Sequence, residues 1–199
     1  MKGLGDRGLA LRLAGVRSIP RLRKSGCPIR EVRRPKHNES AAPALKGCLI
    51  IDFESLMGLA LAQAQRAETA GEVPVGAVLV DSSGLEVAGG FNQPISSQDP
   101  TAHAEMVALR EGARKRANYR LPGTTMVVTV EPCLMCAGAL ISARVSRVVY
   151  GAREPKWGAL ESLMSLQSLA LNHRIEVVSG IREKECAELM RRFFRKRRE

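Results

Sequence analysis

"TTMVVTVEPCLMCAGAL", residues 124–140, decides the architecture. Its first half, threonine and valine around one methionine, has the composition of a β-branched strand. Its second half opens at Pro132, read as the first helical residue, and continues in small and aliphatic residues. A strand feeding directly into a helix is the building unit of an α/β domain. Cys133 and Cys136 are three residues apart, on one face of the first helical turn. Exposed N–H groups and the positive end of the helix dipole lie close to both, and both features favour thiolate over thiol.

The same alternation extends outward. Phe53, Leu56, Met57, Ala60, Leu61, Ala64 and Ala67 follow helical spacing and predict a helix over 52–70. "PVGAVLVD" (74–81) reads as a buried strand, "SSG" as a turn and "LEVAGG" (85–90) as its hairpin partner. A polar loop runs to Pro100, and a second helix is expected over 102–117, with Asp99 and Pro100 at its start. Beyond the third helix, "RVVYG" (147–151) and "IEVVSG" (175–180) are two more strands, separated by the loop "EPKWGALES". A last helix over 183–198 stacks Cys186, Leu189, Met190 and Phe193 on one face. These elements predict an α/β fold of three layers, with a five-stranded sheet made mixed by the hairpin.

The chain has 199 residues, enough for one domain with length to spare, and 45% of it is apolar. Aromatics are only 4%, so the core should be aliphatic. No apolar run approaches the roughly 20 residues of a membrane span. The net charge of +11 is unevenly spread. Residues 1–48 hold 12 Lys/Arg against 3 Asp/Glu, whereas 49–199 hold 19 against 17. The basicity therefore belongs mainly to a leader, which also carries Pro20, Pro28, Pro35 and Pro43 and shows no periodicity. Residues 1–48 read as a basic, disordered extension or an over-long start; arginine richness and acid poverty also suit a transit peptide, against which serine is sparse. The expected domain is 49–199. Five cysteines without a secretory signal argue against a disulfide framework and for a reducing compartment.

Two thiolates on one helical turn make half of a tetrahedral zinc site. Cys27 and Cys48 belong to the leader and Cys186 to a core stripe, which leaves His103 in "TAHAEM" (101–106) as the plausible third ligand. Its helix should start at the same kind of sheet edge as the Cys133 helix, where α/β folds place their sites. His, Cys and Cys leave a fourth position to water, the pattern of a catalytic zinc. Zinc brings the pKa of such a water toward about 7. Glu105, two residues from His103, is then the candidate proton shuttle. Taken alone, a C-x-x-C can be a redox pair and an H-x-E an accident; it is their joint occurrence that points to one site.

This combination, H-x-E followed by P-C-x-x-C, resembles the signature of the zinc-dependent nucleobase deaminases. "EVPVGAVLV", "DPTAHAEMVALREG", "NYRLPGTT", "VTVEPCLMCAGALI", "RVVYGAR" and "FFRKRR" are similar to the bacterial tRNA adenosine deaminases, over about residues 52–198. The resemblance implies a cytidine-deaminase-like fold, one Zn²⁺ per subunit, a homodimer in the cytoplasm, and hydrolysis of the wobble adenosine of a tRNA anticodon to inosine. It implies that His103, Cys133 and Cys136 hold zinc and that Glu105 moves protons. It also implies that Asn92 in "GGFNQP" hydrogen-bonds the target base, and that Phe193, Phe194 and Arg195 approach the anticodon stem-loop. Asn92 reads equally as a turn residue, and the terminal basic run as a solvated helix end.

Two departures from the family concern a loop expected to flank the substrate. Glu154 stands in "GARE" where aspartate is usual, and Trp157 and Glu161 replace small residues. Two rivals remain: a deaminase of free bases or nucleotides using the same metal chemistry, and a non-catalytic RNA-binding module with a structural zinc.

Overall fold

The computed structural model describes residues 51–198 apart from 166, 167 and 169. The 1–48 extension, with Cys27 and Cys48, lies outside them. Helix α1 (Phe53–Thr69) starts where Asp52 caps it, its Oδ1 accepting the N–H groups of Glu54 at 3.1 Å and Ser55 at 3.3 Å. Strands β1 (Gly76–Val80) and β2 (Glu86–Phe91) form a hairpin. The Asp81 carboxylate closes its turn by accepting from Ser83 N at 2.8 Å and Leu85 N at 3.1 Å. A short helix α2 (Pro94–Ser97) and helix α3 (Ala104–Lys115) follow. Then come β3 (Thr125–Val130), α4 (Leu134–Ser142), β4 (Arg147–Ala152), β5 (Glu176–Ser179) and α5 (Glu183–Lys196).

The sheet order is β2-β1-β3-β4-β5, with β1 antiparallel to both β2 and β3, and β3, β4 and β5 parallel. The mixed five-stranded sheet read from the sequence is therefore present. Alternation along the strands builds two cores. Leu79, Met126, Val128, Val148 and Tyr150 meet α3 and α4 on one face, and Val78, Val80, Val127 and Val149 meet α1 and α5 on the other. Because β1 and β3 are covered on both sides, every residue in them is buried, which is why β1 is an unbroken apolar run and β3 adds only two threonines to one. Burying a leucine-sized side chain contributes about 1.5–3 kcal/mol, and Met57, Leu79, Leu121, Met126 and Leu140 are fully buried. No described helix is long and apolar enough to cross a membrane.

Two expectations change. The stretch read as a polar loop contains α2, whose Ile95 and Ser96 N–H groups are held by the carboxylate of Glu72, more than twenty residues upstream. Helix α4 begins at Leu134 rather than Pro132. Glu131 and Pro132 instead link β3 to the helix: Glu131 N donates to Ala152 O at 2.9 Å and Pro132 O accepts from Ala159 N at 2.9 Å.

The elements converge on one edge of the sheet. Gly76, which opens β1, pairs with Phe91 at the end of β2, and its N–H donates to Thr129 Oγ1 near the end of β3 at 3.2 Å. Val130 and Ala152 bring the ends of β3 and β4 to the same edge. The end of α5 lies on this side too: Arg197 donates to Gly71 O at 2.6 Å, and the next residue, Glu72, holds α2.

Candidate metal centre and active site

Both proposed ligand segments enter the site as helix caps. His103 is the N-cap of α3 and Cys133 that of α4, and neither side chain makes a capping hydrogen bond. Their extended backbones (ψ 155° and 173°) set each side chain at the helix entrance. Asn92 holds the His103 corner, since its Oδ1 accepts from Ala104 N at 2.9 Å, while Gln93 N donates to Ala102 O at 2.9 Å. Gly90 lets α3 come this close; a Cβ there would stand 2.5 Å from Ala104 O. Cys133 is fixed by a β-bridge to Gly158, and Cys136 is buried on α4.

The donor atoms of His103, Cys133 and Cys136 all lie within 4.8 Å of one another. His103 Nδ1 is 3.7 Å from Cys133 Sγ and 3.6 Å from Cys136 Sγ. Ordinary Zn–S and Zn–N bonds in a tetrahedral site require N–S separations of about 3.6 Å. The donor set therefore fits zinc in identity and spacing. Its protons point the same way. Cys133 falls to about 4 because the Cys136 thiol donates to it, with His103 adding to the effect against burial. Cys136 is pushed up by that same donation and by burial. The hydrogen bond to Cys133 raises His103. Two thiolates this close repel, and a divalent cation is what allows both to ionise.

Glu105 sits in the first turn of α3 and is only 3% exposed. Burial pushes its carboxyl up, and it is not among the clustered donors. A buried carboxyl beside the donor cluster can accept a proton and return it without competing for the metal.

Glu131 was not singled out from the sequence, yet it organises the far wall. It is 3% exposed. Its Oε1 accepts from Leu160 N at 3.1 Å, Glu161 N at 2.7 Å and Ser162 N at 2.9 Å. Its Oε2 accepts from Glu154 N at 3.2 Å and from the Ser162 hydroxyl. Burial opposes the charge, but these donors outweigh it and hold the carboxyl below its usual range. Gly158 must be glycine, because a Cβ would lie 2.4 Å from Glu131 Oε2. The available signal was an acid ending an otherwise apolar strand, which needs buried partners. Glu72, also missed, offers a similar signal in "GEVPVG".

Of the remaining sequence-derived residues, Glu154 lies on this loop, half-buried, with its carboxylate accepting from Lys156 N at 3.0 Å. Asn92 is buried at the site edge. Phe193 is 6% exposed, and the Arg197 guanidinium covers its ring at 4.6 Å. Phe194 and Arg195 are exposed. Part of the terminal basic run is used internally, since Arg192 and Lys196 pair with Glu68 at 2.7 and 3.9 Å.

The family model for the cytidine and deoxycytidylate deaminase zinc-binding region matches residues 51–152. The chain is 48% identical over 147 residues to a tRNA-specific adenosine deaminase of Haemophilus influenzae, covering 73% of this chain and 85% of that protein. It is 45% identical over 146 residues to a tRNA-specific adenosine deaminase of Bacillus subtilis, covering 73% and 90%. Among solved structures, one from a study of A-to-I editing by tRNA:A34 deaminases superimposes with a TM-score of 0.66 and 43% identity, over 68% of this chain and 98% of that one. A guanine deaminase from Nitrosomonas europaea gives 0.58 and 25%, over 70% and 83%.

Proposed function

The chain belongs to the cytidine and deoxycytidylate deaminase family, within its tRNA-specific adenosine deaminases, and from that premise we propose that it hydrolyses the wobble adenosine of a tRNA anticodon to inosine. The observation that carries this reading is the 48% identity over 147 residues, a length that must include His103, Glu105, Cys133 and Cys136.

His103 Nδ1, Cys133 Sγ and Cys136 Sγ would hold one zinc per subunit, as their 3.6–3.7 Å N–S separations support. When bound, zinc supplies the Lewis acidity that makes water a nucleophile at neutral pH. Glu105 takes a proton from the attacking water and delivers it to adenine N1 as the oxygen bonds to C6. It then takes the second proton from that oxygen and gives it to the departing amine. The C6–N bond breaks, ammonia leaves, and C6 becomes the carbonyl of inosine. Burial of Glu105 keeps bulk water from exchanging with the shuttled proton. Asn92 offers its amide N–H₂ to the base while its Oδ1 is engaged by Ala104 N.

A wobble base in an anticodon loop is already unpaired, so moving it to the metal costs less than extrusion from a duplex. Arg195 and the exposed cations of α5 lie on the site's side of the molecule and suit the phosphates of the stem-loop, with the exposed Phe194 ring beside them. We assign the deaminase domain to 49–199 and the basic extension to 1–48, and we infer a cytoplasmic homodimer.

Deamination of free guanine is a second reading, favoured by the likeness to the guanine deaminase fold. Incubating the zinc-loaded protein with an anticodon stem-loop, free guanine and free cytosine separates the two. Inosine appearing in the stem-loop alone supports the tRNA reading; turnover confined to a free base overturns it.

A further inference from the structure

Trp157 is the protein's single tryptophan, and at 70% exposure it is the most exposed large hydrophobic residue described. A side chain of that size in water loses most of the stabilisation that its burial would give. Yet the loop that carries it is not loose. Glu131 holds four backbone N–H groups across residues 154–162, and Ala159 N donates to Pro132 O. Glu154 O accepts from Gly158 N at 2.8 Å, closing a tight turn around the tryptophan.

The position is specific as well. Gly158 is bridged to Cys133, so the Cα of its neighbour Trp157 stands within roughly 9 Å of the Cys133 Cα. The residue therefore rises from the rim of the metal centre. Arg153 and Lys156 beside it are exposed cations. A fixed aromatic flanked by cations at the mouth of a base-accepting site is the arrangement that binds single-stranded nucleic acid by stacking.

We propose that Trp157 stacks on an unpaired base adjacent to the target adenosine, and so fixes the substrate while that adenosine occupies the site. This rests on the tRNA reading above. The stacked neighbour restrains the strand on one side of the target, and the metal centre restrains the target itself. The free energy of stacking acts on the bound substrate and leaves the chemical step unchanged.

Because there is one tryptophan, its fluorescence reports this contact directly. The zinc-loaded protein is titrated with an anticodon stem-loop bearing the wobble adenosine, with occupancy followed in parallel by anisotropy of a dye on the RNA stem. Stacking predicts quenched tryptophan emission that tracks occupancy. It also predicts that Trp157→Ala raises KM roughly 5- to 100-fold with kcat nearly unchanged, and that Trp157→Phe recovers most of the loss. An abasic substitution at the stacked neighbour should weaken the wild type but not Trp157→Ala. Saturated binding with unchanged emission, or an unchanged KM in Trp157→Ala, would overturn the proposal while leaving the substrate assignment intact. A fall from dimer to monomer in Trp157→Ala, seen by sedimentation, would also overturn it by making the residue a subunit contact. Failure of the wild type to deaminate any stem-loop would instead sink the substrate assignment.

Discussion

The sheet edge that carries the metal centre and the terminal turns of α5 are both rich in charge, but they are built on opposite principles. At the edge, charged groups are buried and spoken for. Glu131 accepts backbone N–H groups from a loop and Glu72 from helix α2, both far away in sequence, and His103, Cys133 and Cys136 face one another. At the end of α5, the charges are solvated: Arg195 reaches Glu188 at 3.9 Å and Arg191 reaches Glu188 at 3.4 Å, with most of each side chain in water. Exposed pairs of this kind contribute about 0–1 kcal/mol, whereas a buried carboxylate that loses its partners leaves several costly orphans. The metal-ligating edge is thus pre-organised by backbone, while the charges at the end of α5 stay adjustable.

The sharpest way to break the comparison is at a ligand. Cys133→Ser should lose stoichiometric zinc and all measurable turnover; a variant with full zinc by elemental analysis and wild-type kcat would contradict the assignment of the site. Glu105→Gln should come next, keeping zinc while kcat falls by about 10²–10⁴-fold. Single-turnover rates on a stem-loop check this, and zinc loss in this variant would make Glu105 a ligand rather than a shuttle.

A third test concerns the buried carboxylates as structural pieces. Burial raises Glu72, but the N–H groups of Ser96 and Ile95 outweigh it and hold its carboxyl below the usual glutamate value of about 4.5. A depressed carboxyl pKa stabilises the fold above about pH 4.5, and that contribution disappears as pH falls through the lower folded value. Glu72→Gln should therefore melt below the wild type at neutral pH, and the gap should close on acidification. A gap that is constant with pH would mean that the charge is not what holds α2. The smallest effect is expected on α5, where Arg195→Ala should raise KM a few-fold and lower the salt dependence of binding by about one counterion. An unchanged salt slope would remove Arg195 from the RNA surface.

What could be read beforehand divides along a similar line. The strands, the hairpin and the amphipathic stripe of α5 were legible because each follows from short periods of apolar residues. The ligand pattern was legible because H-x-E and P-C-x-x-C are local. Helix α2 was not, since its four residues are held by Glu72, whose partnership only the folded chain creates. The start of α4 was misjudged for a related reason. Pro132 suits a first helical turn, but the backbone bonds from Glu131 N to Ala152 O and from Ala159 N to Pro132 O hold both residues outside the helix, which starts at Leu134. Phe193 and Phe194 are neighbours with opposite fates, one buried and one exposed, and "FFRKRR" alone offers no reason to separate them.

The clasp around Glu131 has a consequence for how such a protein can change over generations. What the carboxylate grips is main chain, so the exposed side chains at 155, 156 and 157 are free to be replaced, while 158 must stay glycine and Ala159 and Leu160 stay in the core. The rim can drift there one residue at a time, while His103, Glu105, Cys133 and Cys136 stay where they are.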